Sequence, residues 1–151
     1  MRRFEGKVVI VTGSSSGIGQ ATAVRFGAEG ACVTIHGRNP EGIAETEQML
    51  RDKGVNPSNI VAVLGEVEKD TTLHGLIDQT VQKFGKIDIL VNNAGGSAEQ
   101  VGKETDKLES YDYIFDLNLK SCMKLVEYDK PHLEKTKGNI VNVSSVDGVR
   151  P

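Results

Sequence analysis

A continuous apolar run at residues 7–12 (KVVIVT) passes directly into Gly13-Ser14-Ser15-Ser16-Gly17-Ile18-Gly19, and Ile18, Thr22 and Phe26 then recur at four-residue spacing. An apolar run without polar alternation fits a strand covered on both faces, as in a parallel sheet between two helical layers. Glycines at the joint let the backbone turn tightly. The helix that follows presents unpaired N–H groups at its first turn, an arrangement suited to a pyrophosphate. The spacing G-x-x-x-G-x-G differs from the dinucleotide fingerprint G-x-G-x-x-G, and no Gly-Lys-Ser/Thr follows as a phosphate-binding P-loop requires. The competing reading is a Gly/Ser turn with no ligand; the strand before it and the helix after it favour an anion site.

The same alternation continues along the chain. Residues 31–36 (ACVTIH), 59–64 (NIVAVL), 87–91 (IDILV) and 139–143 (NIVNV) repeat the strand type. Between them, Asn39 and Pro40 suit an N-cap and first helical position, and Gly30, Gly54 and Gly85 suit helix stops. Leu73, Leu76, Ile77, Thr80, Val81 and Phe84 fall on one helical face, with Asp70 as the expected cap. A longer helical region is expected from about Ser110 to Lys135, kinked or ended at Pro131. Residues 95–106 (GGSAEQVGKETD) read as loop. Strand–helix–strand alternation with right-handed crossovers predicts an α/β, doubly wound parallel sheet of the Rossmann type, spanning residues 1–151 as one domain.

Charge and composition exclude more than they assign. Lys and Arg total 18 against 21 Asp and Glu, a formal net charge of -3, and the basic residues are scattered among acids, so no nucleic-acid partner is expected. No stretch is long enough to span a membrane. The basic N-terminus, MRRFEGKVVIVTG, breaks at Gly13 and reads as a first strand rather than a signal peptide. Cys32 and Cys122 match no metal spacing, and Cys32 is expected to be a small buried side chain. A reducing, cytoplasmic location fits. His36, His74 and His132 are dispersed, are expected to be exposed or capping, and form no metal set.

Three further motifs fall at the ends of strands, the edge where doubly wound sheets bind ligands. The second strand leads into His36-Gly37-Arg38-Asn39, about 20 residues past the glycine loop, where an acid would bind the ribose of NAD. Here there is no acid, and the Arg38 guanidinium offers a planar fork suited to a phosphate. An ordinary surface arginine is the alternative. Asn92-Asn93-Ala94-Gly95 ends the fourth strand and could let a cofactor lie against the backbone, or could simply be a turn. Residues 138–145 (GNIVNVSS) deliver Ser144 and Ser145 to the same edge, where serine is also a common turn residue.

With these four motifs in order, the chain resembles the classical short-chain dehydrogenase/reductase family over nearly its whole length, and the combination of TGSSSGIG, NNAG and NIVNVSS is far more specific than any one piece. The resemblance implies an NADP(H)-dependent oxidoreductase moving hydride between nicotinamide and a small-molecule carbonyl or alcohol. It implies that Gly13, Ser15, Ser16, Gly17, Ile18 and Gly19 hold cofactor phosphates and ribose, and that Arg38, with Asn39 beside it, marks preference for NADP(H) over NAD(H). Glu66-Val67 stands where the family has Asp-Val against adenine. Asn93, Ala94 and Gly95 would line the cofactor path and brace the sheet. Asn118, in DLNLKS, and Ser145, followed by Val-Asp-Gly, match the catalytic asparagine and serine. The family's tyrosine and lysine, in a Tyr-x-x-x-Lys pattern after the serine, are absent from these residues.

Two expectations follow. Either the chain is the front portion of such an oxidoreductase, inactive by itself, or it is a naturally short, non-catalytic NADP(H)-binding or interaction protein. Under both, the strand order is 3-2-1-4-5 with a C-terminally incomplete sheet and an exposed fifth strand. Homo-oligomerisation is possible, because in the family the long helix near residues 110–135 packs on a second subunit.

Overall fold

The computed structural model describes residues 2–99, 102, 104 and 107–149. Five parallel strands form one sheet: β1 (Val8–Val11), β2 (Cys32–Gly37), β3 (Ile60–Leu64), β4 (Ile89–Asn92) and β5 (Asn139–Asn142), in the order β3-β2-β1-β4-β5. The order is the one the sequence predicts, and each strand lies within two residues of its expected bounds. Helices α1 (Gly17–Ala28), α2 (Pro40–Asp52), α3 (Asp70–Phe84), α4 (Leu108–Phe115) and α5 (Ser121–Thr136) connect the strands.

Alternating side chains of the central strands feed two separate cores. Val9 and Val11 of β1 join Val33, Ile35, Ile43 and Leu50 under α1 and α2. Ile10, between them, points to the opposite face and joins Leu73, Leu76, Leu90, Leu125 and Leu133 under α3 and α5. All four residues of β1 are buried, the physical reason its sequence shows no polar alternation. The edge strands differ: β3 alternates buried and exposed residues, and every residue of β5 is exposed.

Several local expectations are met. Asn39 caps α2 by accepting from the amides of Glu41 and Gly42, with Pro40 at the first helical position. Gly85, at φ 78°, closes α3. Others are corrected. Lys69 occupies the cap position of α3, and Asp70 is its first helical residue, with its carboxylate turned to Lys124 Nζ at 2.8 Å and Tyr128 O–H at 3.3 Å on α5. Pro131 neither ends nor interrupts α5, which runs to Thr136; the proline lies on the exposed face, where losing one backbone donor costs least. Cys32 is half-buried rather than buried. Of the loop expected at 95–106, residues 100, 101, 103, 105 and 106 lie outside the described residues. No helix among the described residues is long and apolar enough to cross a membrane.

Candidate functional site

The C-terminal ends of β1, β2 and β4 open onto a cleft of about 470 Å³, within the usual range for a small-molecule site. It is lined by Gly13, Ser15, Ser16, Gly17, Ile18, Gly19, Arg38, Val67, Asn93, Ala94 and Gly95, all singled out in the sequence, together with His36, Gly37 and Leu117. Of the other residues singled out, Asn39 spends its side chain on the α2 cap, Glu66 is exposed beside Val67, and Asn118 and Ser145 stand outside this lining.

Buried polar groups build the floor of the cleft. Thr12 is 2% exposed, and its Oγ1 accepts the backbone N–H of both Asn93 and Ala94 at 3.0 Å. In return Asn93 Nδ2 donates to the carbonyls of Thr12 at 3.0 Å and Gly13 at 3.1 Å. The two β4-end amides therefore do different work: Asn93 clamps the glycine loop, whereas Asn92 Nδ2 reaches across to Asn142 Oδ1 at 2.9 Å and ties β4 to β5. Ser14, fully buried, donates to Val11 O and accepts from the His36 amide, and its carbonyl accepts from Thr46 Oγ1 at 2.8 Å.

This close zipping explains the glycines. Gly13 has φ +63°, and a Cβ there would stand 2.8 Å from Ala94 Cα. A Cβ on Gly19 would run into the Gly13 carbonyl and the Asn93 side chain. Ser16, at the N-cap of α1, makes no side-chain cap bond, so the first-turn amides of α1 are left for another acceptor. Bare backbone and free amide donors beside a cationic Arg38 fit a dinucleotide's phosphates.

His36 corrects the expectation that the histidines are exposed or capping. It is 2% exposed, in the last turns of β2, whose residues from Val33 to Gly37 are all buried. A signal for this was available: in a strand covered on both faces, a polar residue within the run is buried with the rest. Its Nδ1 accepts the Gly13 N–H at 3.1 Å, and Nε2 lies 3.0 Å from the Gly65 carbonyl. A carbonyl only accepts, so the proton sits on Nε2 and the ring is neutral. Burial drives its pKa down to about 4, opposed by the Gly65 carbonyl and reinforced by the charge of Arg38.

The two catalytic candidates sit on separate elements. Asn118 lies in a π-helical turn, Asp116–Lys120, that joins α4 to α5 and breaks the single helix expected from about Ser110 to Lys135. Such turns often mark functional sites. Its Oδ1 accepts from Gly96 N at 2.9 Å and its Nδ2 donates to Gly96 O at 2.8 Å, which fixes the turn against the loop after β4. Its own carbonyl accepts from the Cys122 thiol at 3.5 Å. Ser145 caps a 3-10 turn, Val146–Gly148, its Oγ accepting the Asp147 amide at 3.2 Å, and it is exposed. No group of three or more His, Cys, Asp or Glu among the described residues could hold a metal ion.

The short chain dehydrogenase family model matches residues 7–151. The chain is 37% identical over 150 residues to tropinone reductase-like 3 of Erythroxylum coca, covering 99% of this chain and 57% of that protein. Among solved structures, it is similar to glucose dehydrogenase of Caenorhabditis elegans in the apo form, with 47% identity, a TM-score of 0.87, and coverage of 95% of this chain and 56% of that one. A Caenorhabditis elegans short-chain dehydrogenase/reductase of unknown function, solved with cofactor, is 43% identical, with a TM-score of 0.89 and coverage of 95% and 54%. The chain spans about half the length of the curated relatives it matches, from 41% to 58% in four of them.

Proposed function

Because the chain belongs to the short chain dehydrogenase family, we propose that residues 1–151 are the NADP(H)-binding unit of an oxidoreductase that moves hydride between nicotinamide and a carbonyl or alcohol. The observation that carries the reading is Arg38 at the rim of the cleft, where the glycine loop and the open first turn of α1 converge. A guanidinium at this position favours a ribose phosphate, where an acid would repel it. Val67 would support the adenine from the loop after β3, with Glu66 beside it, and Asn93, Ala94 and Gly95 would give the cofactor a backbone to lie along.

The nicotinamide, when bound, supplies or accepts the hydride. This chain's residues would orient it and hold the substrate oxygen. Ser145 Oγ already accepts the Asp147 amide, which leaves its O–H proton free to donate to a substrate carbonyl. Asn118 has both ends of its amide engaged by Gly96, and its role in this reading is to hold the π-turn beside the cleft. Tyr111, Phe115, Leu119 and Met123 recur along the α4–α5 run and are 56%, 46%, 50% and 63% exposed, which supports a homo-oligomer built on that face. The two free cysteines support a reducing, cytoplasmic setting.

Titration with NADPH and NADH by nicotinamide fluorescence tests the reading. NADPH should bind more tightly, and Arg38→Ala should weaken it by about 10- to 100-fold while leaving NADH within about twofold. Equal affinities in the unmutated chain would remove the phosphate-reading role of Arg38. Within residues 1–151, Tyr111, Tyr113 and Tyr128 are followed four residues on by Phe115, Leu117 and His132, so none of them forms a Tyr-x-x-x-Lys pair. General acid–base groups contribute about 10²- to 10⁴-fold, so the 151-residue chain should bind NADPH and reduce no carbonyl at a measurable rate. Steady NADPH oxidation with an aldehyde or ketone would show that other groups of this chain supply the proton.

A further inference from the structure

Two loops flank the adenosine end of the cleft in the reading above: the glycine loop from Gly13, and the segment Gly65–Val67 after β3. They come from strands that are not neighbours, since β2 lies between β1 and β3. Neither β1–β2 nor β2–β3 pairing extends to the loops themselves. Gly65 is anchored by its N–H to the Gly37 carbonyl at 3.1 Å, and Ser14 by its N–H to the His36 carbonyl at 2.7 Å. The imidazole of His36 closes the remaining gap, with one nitrogen on Gly13 and the other on Gly65.

We propose that His36 is a positioning residue for the cofactor site, a neutral imidazole strut that sets the spacing between the phosphate-binding loop and the adenine-side loop. The inference rests on the nucleotide-binding reading and deepens it. The strut works in one protonation state and one tautomer only. Nδ1 must be bare to accept from Gly13, and Nε2 must carry hydrogen to reach Gly65. A second proton on the ring would set N–H against N–H at Gly13, whose carbonyl is held by Asn93 Nδ2.

The surroundings of the ring enforce that state. It is almost fully buried, so a charged imidazolium has little solvation. From the glycine loop and from the β3 loop it meets backbone groups, Gly13 N–H and Gly65 C=O. The charge acting on it is Arg38, two residues on and just past the end of β2, and that charge also opposes protonation. Glu66, the carboxylate next to Gly65, is exposed. An imidazole in water is half protonated near pH 6.5; this one stays neutral well below that, its pKa lowered to about 4 by burial.

The test uses the 151-residue chain, nitrogen-15 NMR of the histidine ring, and NADPH titration. The His36 ring should show a single Nε2–H tautomer, unchanged from roughly pH 8 to 5.5. His36→Ala should weaken NADPH by about tenfold, the scale of losing one or two buried hydrogen bonds. His36→Asn, whose Oδ1 reaches the place of Nδ1, should recover about half of that loss on a logarithmic scale. Its affinity for NADPH should exceed that of His36→Ala even if the two have the same melting temperature, which a purely structural role would not produce. A ring that titrates near the ordinary histidine value, or a His36→Ala chain that binds NADPH as well as the unmutated one, overturns the proposal. Failure of the unmutated chain to bind either NADPH or NADH is a separate result, and defeats the nucleotide-binding reading itself.

Discussion

Buried polar groups under the cleft and in α5 are treated in opposite ways. Under the cleft, Thr12, Ser14, His36 and Thr46 are each at most 2% exposed, and each is hydrogen-bonded to backbone of another loop or strand. In α5, Asp129 is also fully buried, between Leu125 and Leu133 along the helix, yet neither of its carboxylate oxygens has a hydrogen-bond partner among the described residues. The first arrangement turns desolvation into precision, because each satisfied group fixes a backbone position that a ligand would use. The second carries the desolvation cost with no compensating bond. The contrast separates residues that shape the site from one that burdens the fold.

Breaking the first arrangement should have the largest effect. Thr12→Val keeps the shape and removes the acceptor of two amides, Asn93 and Ala94. We expect a loss of about 1–3 kcal/mol in urea unfolding, from two part-buried donors left unpaired, together with the loss of most NADPH affinity. A cost below about 1 kcal/mol would mean that the β4-end loop shifts to find other acceptors.

Asp129→Asn should move stability the other way, and by an amount that depends on pH. Burial raises the Asp129 pKa from 3.8 to about 7. The folded chain therefore holds a proton that the unfolded chain releases, so the stability this group contributes is complete below about pH 4 and is lost as pH rises through about 7. Asparagine does not titrate. The variant should match the parent at acid pH and be more stable above neutrality, by about 1–3 kcal/mol at pH 8, as followed by urea unfolding across pH. A parent and variant with parallel pH profiles would show that Asp129 finds a partner in solution.

The smallest effect belongs to the surface. Lys124 Nζ and Asp70 Oδ1 lie 2.8 Å apart, with side chains 30% and 54% exposed, between α5 and the first turn of α3. The lysine holds the Asp70 carboxyl below its ordinary range. Solvent and salt screen such pairs, so Lys124→Ala should leave the urea midpoint nearly unchanged, and closer still to the parent's in 1 M salt. A larger loss would mark the pair as the contact that docks α5 onto α3.

Where the sequence is legible, the reason is periodicity or a backbone constraint. Strand β1 reads as an apolar run because both of its faces meet helices, and Gly13 and Gly19 are legible because no side chain fits where two loops touch. Where it is not, the reason is a partner distant in sequence. Asp70 has the spacing of a cap, but a lysine and a tyrosine on α5 claim its carboxylate. Residues 110–135 have helical periodicity throughout, yet a π-turn inserts at Asp116–Lys120, where the Asn118 side chain pairs with Gly96. His36 looks like one of three scattered histidines until Gly13 and Gly65 close on it. Of the four residues outside the cleft lining, Asn39 was legible as a cap, and that is the role its side chain takes.

The sequence alone determined the strand–helix alternation, the helix stops and the strand ends that open on the cleft, because these follow from local hydrophobic pattern and from glycine's freedom, while the strand order came with the family resemblance. Only the tertiary structure decided which polar side chains became struts, which became caps and which was left unpaired. That choice depends on contacts between residues about 20 to 80 positions apart, and neither pattern nor propensity carries information over such distances.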